Sequence, residues 1–228
     1  MLARIHIGSA QIPGGEELQL FSHGRDFMIV LGRNELMSTR MRGSEQALAV
    51  MSIARLAPKP APHLLIGGYG MGFTLRAALE ELGPNAQVTV SELVPEIIAW
   101  ARGPMAELTA GCLDDPRLSL RMGDVGDAIA QANASFDAIL LDVDNGPDGL
   151  VRGANDRIYA RPGLLAAKRA LRPGGVLAIW SAAPDNRFRR QMKLAGFDTE
   201  EVTVSARGTS DGRGKGPKHV IWFGRKAQ

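Results

Sequence analysis

Apolar and polar positions change rhythm once along this chain. Near the N-terminus they alternate at period two, in Arg4-Ile5-His6-Ile7 and Leu18-Gln19-Leu20-Phe21, with Pro13-Gly14-Gly15 between them as a turn. Phe27-Met28-Ile29-Val30-Leu31 forms a third run that stops at Gly32-Arg33-Asn34. This spacing predicts a short antiparallel strand unit. The period then lengthens. Ala47, Leu48, Val50, Met51, Ala54 and Leu56 recur as one stripe of a helix, with Ser44 placed as its N-cap. Pro58-Lys59-Pro60-Ala61-Pro62 ends that helix as a stiff linker.

From His63 onward apolar strands alternate with helical stripes. The strands predicted are 63–66, 87–91, 117–121, 136–142 and 175–181, with helices near 72–82, 94–110, 124–132 and 162–172. A helix near 185–195 and strands at about 199–206 and 219–224 follow, joined by a Gly-, Ser-, Asp- and Lys-rich loop from Gly208 to Lys218. The β-α-β-α order implies an α/β fold with a doubly wound, mostly parallel sheet and right-handed crossovers. The expected division is an N-terminal strand unit over 1–42 and an α/β domain over 43–228.

The chemistry concentrates after the first parallel strand. His63-Leu64-Leu65-Ile66 runs into Gly67-Gly68-Tyr69-Gly70-Met71-Gly72, then a helix, then an apolar run closed by Glu92. Glycines let backbone approach a ligand, and a helix start aims N–H groups at it. A carboxylate ending the neighbouring strand suits the two hydroxyls of a ribose. A dinucleotide loop spaces its glycines G-x-G-x-x-G, but position 73 is Phe. The spacing Gly68-x-Gly70-x-Gly72 is instead that of S-adenosylmethionine-type sites. Asp124, in Gly123-Asp124-Val125 after the third parallel strand, stands where an adenine amine is met, or else caps the following helix. Gly67, Leu93 and Val125 flank these positions and complete the expected cofactor contacts, together with Asp142.

Several motifs in order resemble the spermidine synthase family. They are Ile66-Gly67-Gly68, Thr74-Leu75-Arg76, Glu92, Asp115-Pro116-Arg117, Gly123-Asp124, Asp142 with Gly146-Pro147, and Leu171-Arg172-Pro173-Gly174-Gly175. The resemblance covers roughly residues 25–182. It implies a small β domain ahead of a class I methyltransferase-like fold, frequent dimers, and decarboxylated S-adenosylmethionine as donor of an aminopropyl group to a diamine. It also implies that Glu92 holds the ribose, Asp124 the adenine amine, and that the loop after Asp142 covers the reacting atoms. Asp144 or Asn145 falls opposite the family's catalytic Asp. Asp144 is the candidate base or orienter, with Asp142 beside it; the alternative is that both merely cap loop N–H groups.

The departures shape the expected acceptor. The family loop reads G-G-G-D-G-G, whereas this chain carries Tyr69-Gly70-Met71 and no acid there. The family's Asp-Gly, Gln and Tyr near the first helix are absent, and Glu45 alone matches. Arg40 and Arg42 lie nearby in sequence. An uncompensated buried ammonium costs several kcal/mol. On that basis the expectation is an adenosyl sulfonium cofactor, S-adenosylmethionine or its decarboxylated form, with a methyl or aminopropyl group passed to a small neutral or anionic acceptor. The alternatives are a nucleoside-binding protein without catalysis and a nucleic-acid methyltransferase, the latter resting on Arg207, Arg213, Lys215 and Lys218.

Bulk properties narrow these classes only slightly. The 228 residues carry a formal charge of +3 and a sequence pI of about 9.3. That charge permits nucleic acid without demanding it, and no aromatic interleaving supports single-strand stacking. Cys112 is the one cysteine, so no intrachain disulfide forms. His6, His23, His63 and His219 lack metal-site spacing, and no metal is expected. Met1-Leu2-Ala3-Arg4 does not lead into a secretory signal, and no run spans a bilayer. A cytoplasmic homodimer with a small-molecule acceptor, without membrane or nucleic-acid partner, is the expected form. Residues 143–157 are expected to form a lid, and Tyr159 and Trp180 to line the acceptor pocket or the core.

Overall fold

The computed structural model, which describes residues 3–143, 156–209 and 213–228, contains two sheets. Strands β1 (Ile5–Gln11), β2 (Glu17–His23), β3 (Asp26–Leu31) and β4 (Asn34–Ser38) form an antiparallel meander in that order. Sequence reading missed β4. Leu31 pairs with Asn34, so Gly32-Arg33 is a two-residue hairpin turn, and Gly32 takes the positive φ of 58° that the turn requires.

Helix α1 (Gly43–Ile53) follows, with Arg42 rather than Ser44 at its N-cap position and no side-chain cap. Ser44 is therefore a first-turn residue, fully buried, with its hydroxyl committed elsewhere. Then come β5 (His63–Gly67), α2 (Phe73–Glu81), β6 (Gln87–Glu92), α3 (Pro95–Arg102) and α4 (Ala106–Thr109). The single helix expected over 94–110 is broken at Gly103-Pro104, because proline cannot continue the ladder. Strand β7 (Leu118–Met122), α5 (Val125–Gln131), β8 (Phe136–Leu141), α6 (Asp156–Tyr159), α7 (Arg161–Ala170), β9 (Leu171–Ser181) and α8 (Asn186–Leu194) lead to a long hairpin, β10 (Asp198–Gly208) and β11 (Gly214–Arg225). The expected loop from Gly208 to Lys218 is therefore largely strand; residues 210–212 lie outside the described residues.

The second sheet runs β10-β11-β9-β8-β5-β6-β7, parallel from β9 to β7 and antiparallel at the hairpin. Its central strands are continuous apolar runs because both faces are covered. Every residue of β8 is buried. Leu64, Ile66, Val88, Val90, Ala138, Leu140, Ala178 and Ile221 face α1, α2 and the meander; Leu65, Ile139, Leu141, Ile179 and Trp222 face α7 and α8. Each large side chain so buried contributes about 1.5–3 kcal/mol.

Strand order reverses between β5 and β8. Such a switch point leaves a crevice beyond the strands' carboxyl ends. Period-two alternation then decides what projects there. Glu92 continues the face of Val88 and Val90, Asp142 that of Ala138 and Leu140, and Trp180 that of Ala178, so all three turn towards α1 and the meander. His219, midway along antiparallel β11 and just before its pairing with β9 begins, alternates onto the face of Ile221 and Phe223 and lines the same crevice.

Candidate functional site

The crevice is a cavity of about 430 Å³, roofed by the meander through Ile12, Leu18, Ile29 and Met37 and floored by the strand ends. That size is in the range of small-molecule sites.

The glycine loop supplies one wall. Gly68 and Gly70 line the cavity with φ of 83° and 55°. A Cβ on Gly68 would sit 2.7 Å from the Asp142 carbonyl oxygen, so only glycine fits where β5 passes β8. Gly67 and Gly72 do not line it. Gly67 packs against Val125 and Leu141, and Gly72 lies beneath the Tyr69 ring at the N-cap of α2. Tyr69 and Met71 are core anchors: both are buried, and the Tyr69 hydroxyl lies 3.5 Å from Cys112 Sγ. What Tyr69 gives the site is its backbone, which donates to Glu92 Oε2 at 2.8 Å.

Glu92 is buried, and its other oxygen accepts the Val94 N–H at 2.8 Å. Burial raises its pKa above the carboxylate norm, while the backbone N–H groups of Val94, Tyr69, Leu93 and Gly70 pull the other way. Leu93 and Val125 line the same end. Asp124 does cap α5, accepting the Gly126 N–H at 2.7 Å, and still lines the cavity. Its second oxygen is 3.9 Å from the exposed Arg157 guanidinium.

Asp142 and Glu45 form the opposite wall. The Thr74 hydroxyl donates to Asp142 Oδ2 at 2.8 Å and also meets the Glu45 carbonyl oxygen at 3.4 Å, tying β8 to α1. Both carboxyls are pushed up, first by burial and, for Glu45, next by the negative charge of Asp142. The Ser44 hydroxyl lies 2.7 Å from Glu45 Oε2.

Five carboxylates line the cavity: Glu35, Glu45, Glu92, Asp124 and Asp142. Among the described residues no Lys or Arg does. Arg40 is held away by Asp26 at 2.7 Å, and Arg42 joins it in a separate depression with Arg207. Neither arginine lines the cavity, which corrects the expectation that they weigh against a cationic acceptor. Glu35 escaped sequence reading because β4 did; the two-residue turn at Gly32-Arg33 was the available signal. Trp180 lines the cavity with an unpartnered buried indole N–H. Tyr159 is core, edge-on to Phe188, and donates to the Val143 carbonyl at 3.0 Å. Asp144, Asn145 and most of the expected lid lie outside the described residues. Among the described residues no cluster of His, Cys, Asp and Glu is arranged to hold a metal, and no helix is long and apolar enough to cross a membrane.

Comparison with known proteins agrees with this architecture. A polyamine aminopropyltransferase of Mycobacterium tuberculosis (strain H37Rv) is 33% identical over 127 residues, covering 54% of this chain and 23% of that protein. One from Nitrosomonas europaea is 33% identical over 126 residues, covering 55% and 36%. The matched part is thus well under half of either relative. The spermidine synthase structure from Thermotoga maritima aligns with a TM-score of 0.76 over 98% of this chain and 73% of that one, at 18% identity. A spermidine synthase in complex with the transition-state analogue AdoDATO gives 0.75 at 19% identity over the same shares. At such identities these neighbours establish the fold: a class I methyltransferase-like α/β domain behind a small antiparallel sheet. The spermine/spermidine synthase domain matches residues 48–187, more than half of the chain, and the chain belongs to that family.

Proposed function

We propose that this protein binds decarboxylated S-adenosylmethionine and transfers its aminopropyl group to an amine acceptor. The carrying observation is the lining of the cavity: five acidic side chains and, among the described residues, no Lys or Arg. Both partners in such a reaction are cations, whereas ordinary S-adenosylmethionine brings a carboxylate that this wall repels. The names of the relatives, polyamine aminopropyltransferases, point the same way.

The residues fit the donor. Gly68 and Gly70 line the cavity with bare backbone, and Glu92 holds two oriented oxygens at the end assigned to a ribose. Asp124 and Val125 flank the adenine end, and Glu45 and Asp142 face the cationic end. In the reaction an amine nitrogen bonds to the carbon next to the sulfonium as that carbon–sulfur bond breaks, and a neutral thioether leaves. An acceptor that arrives as an ammonium first gives up a proton, and Glu45 or Asp142 receives it. The chain's main contribution is holding the two reactants in line in a water-poor cavity. Asp144, next along the chain, is proposed as a further orienter of the acceptor.

Incubation with decarboxylated S-adenosylmethionine and putrescine, followed by chromatography, tests the reading. Methylthioadenosine and an aminopropylated amine are expected in equal amounts. Methylated products formed from S-adenosylmethionine, with none from the decarboxylated form, would overturn it.

A further inference from the structure

Glu45 does not end at the cavity wall. Behind it Ser44 Oγ lies 2.7 Å from Glu45 Oε2 and 2.9 Å from His219 Nδ1. Ser44 is completely buried, so this path is shielded from water except at its ends. His219 is partly buried, edge-on to Trp180 with ring centroids 4.7 Å apart. Ser44 has one hydroxyl proton, and it can donate to only one neighbour while accepting from the other. We propose that Glu45, Ser44 and His219 form a proton relay, in which Ser44 and His219 are positioning residues that carry away the proton the acceptor amine must lose.

The proposal rests on the reading of the cavity as an amine site. In the resting arrangement neutral Glu45 donates to Ser44, and Ser44 donates to His219 Nδ1, which fixes the Nε2–H tautomer. When Glu45 ionises, its proton passes to Ser44 Oγ as Ser44's own passes to Nδ1, and Nε2 releases one to solvent. The trio has then lost one proton, His219 is the Nδ1–H tautomer, and the Glu45 carboxylate can take the proton that the acceptor ammonium gives up. Ser44 then donates to the carboxylate.

Few charges compete with this chain. Glu45 on α1 is faced by Asp142 from β8, with Thr74 of α2 between them. His219 is faced by Ser44 and by Trp180 of β9. Lys218 precedes it on β11, on the opposite face by alternation, and donates to Ser205 of β10. Burial alone holds the imidazole below its usual range, which keeps it neutral and able to accept.

The test reads the tautomer of His219 by 15N NMR of histidine-labelled, ligand-free protein from about pH 6 to about pH 10, a span that brackets histidine and a raised carboxyl. An exchange from Nε2–H to Nδ1–H as Glu45 ionises is expected, and its loss in Ser44→Ala and in Glu45→Gln. One unchanging tautomer in the wild type, or an exchange that persists in Ser44→Ala, would overturn the relay. In turnover, His219→Gln should lower kcat at least about tenfold near neutrality, with the acceptor KM within about twofold and the deficit closing as pH rises. A deficit equal at every pH would mean a structural role only. Should the wild type transfer no aminopropyl group, the functional reading fails, and the tautomer alone decides the relay.

Discussion

The backbone N–H of Tyr69 donates to Glu92 Oε2 at 2.8 Å, which ties the glycine loop after β5 to the acid ending β6. Val94 N–H holds the other oxygen at 2.8 Å. Glu92→Ala leaves two buried donors unpaired and should cost about 2–4 kcal/mol. Glu92→Gln turns one acceptor into a donor and should cost about half that. Both should weaken methylthioadenosine binding at least about tenfold, since charge-assisted bonds to the ribose are lost. Urea unfolding and calorimetry check the two effects separately. Unchanged affinity in Glu92→Gln removes the residue from the ribose.

Gly68 is held at φ of 83° with the Asp142 carbonyl where a Cβ would go. Gly68→Ala should therefore destabilise by about 2–5 kcal/mol, from left-handed strain plus a backbone clash. Gly111 has a similar φ of 76° but open space around it. Gly111→Ala should cost only the strain, about 1–2 kcal/mol. Thermal unfolding of the pair isolates the close approach at the strand crossing; equal losses would show that it carries no energy.

Much of this was legible from residue order. Unbroken apolar runs such as Leu64-Leu65-Ile66 and Ala138-Ile139-Leu140-Leu141 announce strands covered on both faces, and the glycines with Glu92 mark a nucleoside crevice. Contacts between distant segments were not legible. Ser44 reads as a helix cap by type, but its hydroxyl is taken by Glu45 and by His219, 175 positions away. Arg40 and Arg42 read as cavity residues by proximity in sequence, yet the turn after β4 and the pairing with Asp26 turn Arg40 aside. The short strand β4 hid because its alternation is weak, and Glu35 hid with it.

Asp137 is the fold's internal charge anchor. Burial pushes its carboxyl up, but Lys59 Nζ at 2.8 Å, the His63 N–H at 2.7 Å and Arg172 at 2.6 Å more than offset that and hold it below the usual range. A lowered folded-state pKa means stability present above the unfolded value, near 3.9, and lost as pH falls through the folded one. Asp137→Asn should cost about 2–4 kcal/mol at neutral pH and flatten the acid limb of the stability curve. Denaturant midpoints measured between about pH 2 and about pH 7 test this. An acid limb equally steep in both proteins would assign it elsewhere.

Glu45 and Asp142 have the opposite sign. Both are raised in the folded state, so their contribution is complete below the unfolded carboxylate range and is lost as pH rises through the folded values. Ligand-free protein should lose stability on that rise, and Glu45→Gln should lose less. A bound cation reverses the balance by compensating the charge. Putrescine affinity should therefore increase over the same window, with protons released on binding. Calorimetry in buffers of different ionisation enthalpy reads that release; an affinity that falls as pH rises would contradict it.

The central claim is that a cavity lined by five acids and by no Lys or Arg among the described residues selects a pair of cationic reactants. Its most direct test is the ratio of dissociation constants for S-adenosylmethionine and its decarboxylated form on the same protein. The decarboxylated form should bind at least about tenfold more tightly, a difference of about 1.4 kcal/mol from removing one carboxylate facing Glu45 and Asp142. Equal affinities, or tighter binding of S-adenosylmethionine, would contradict the account.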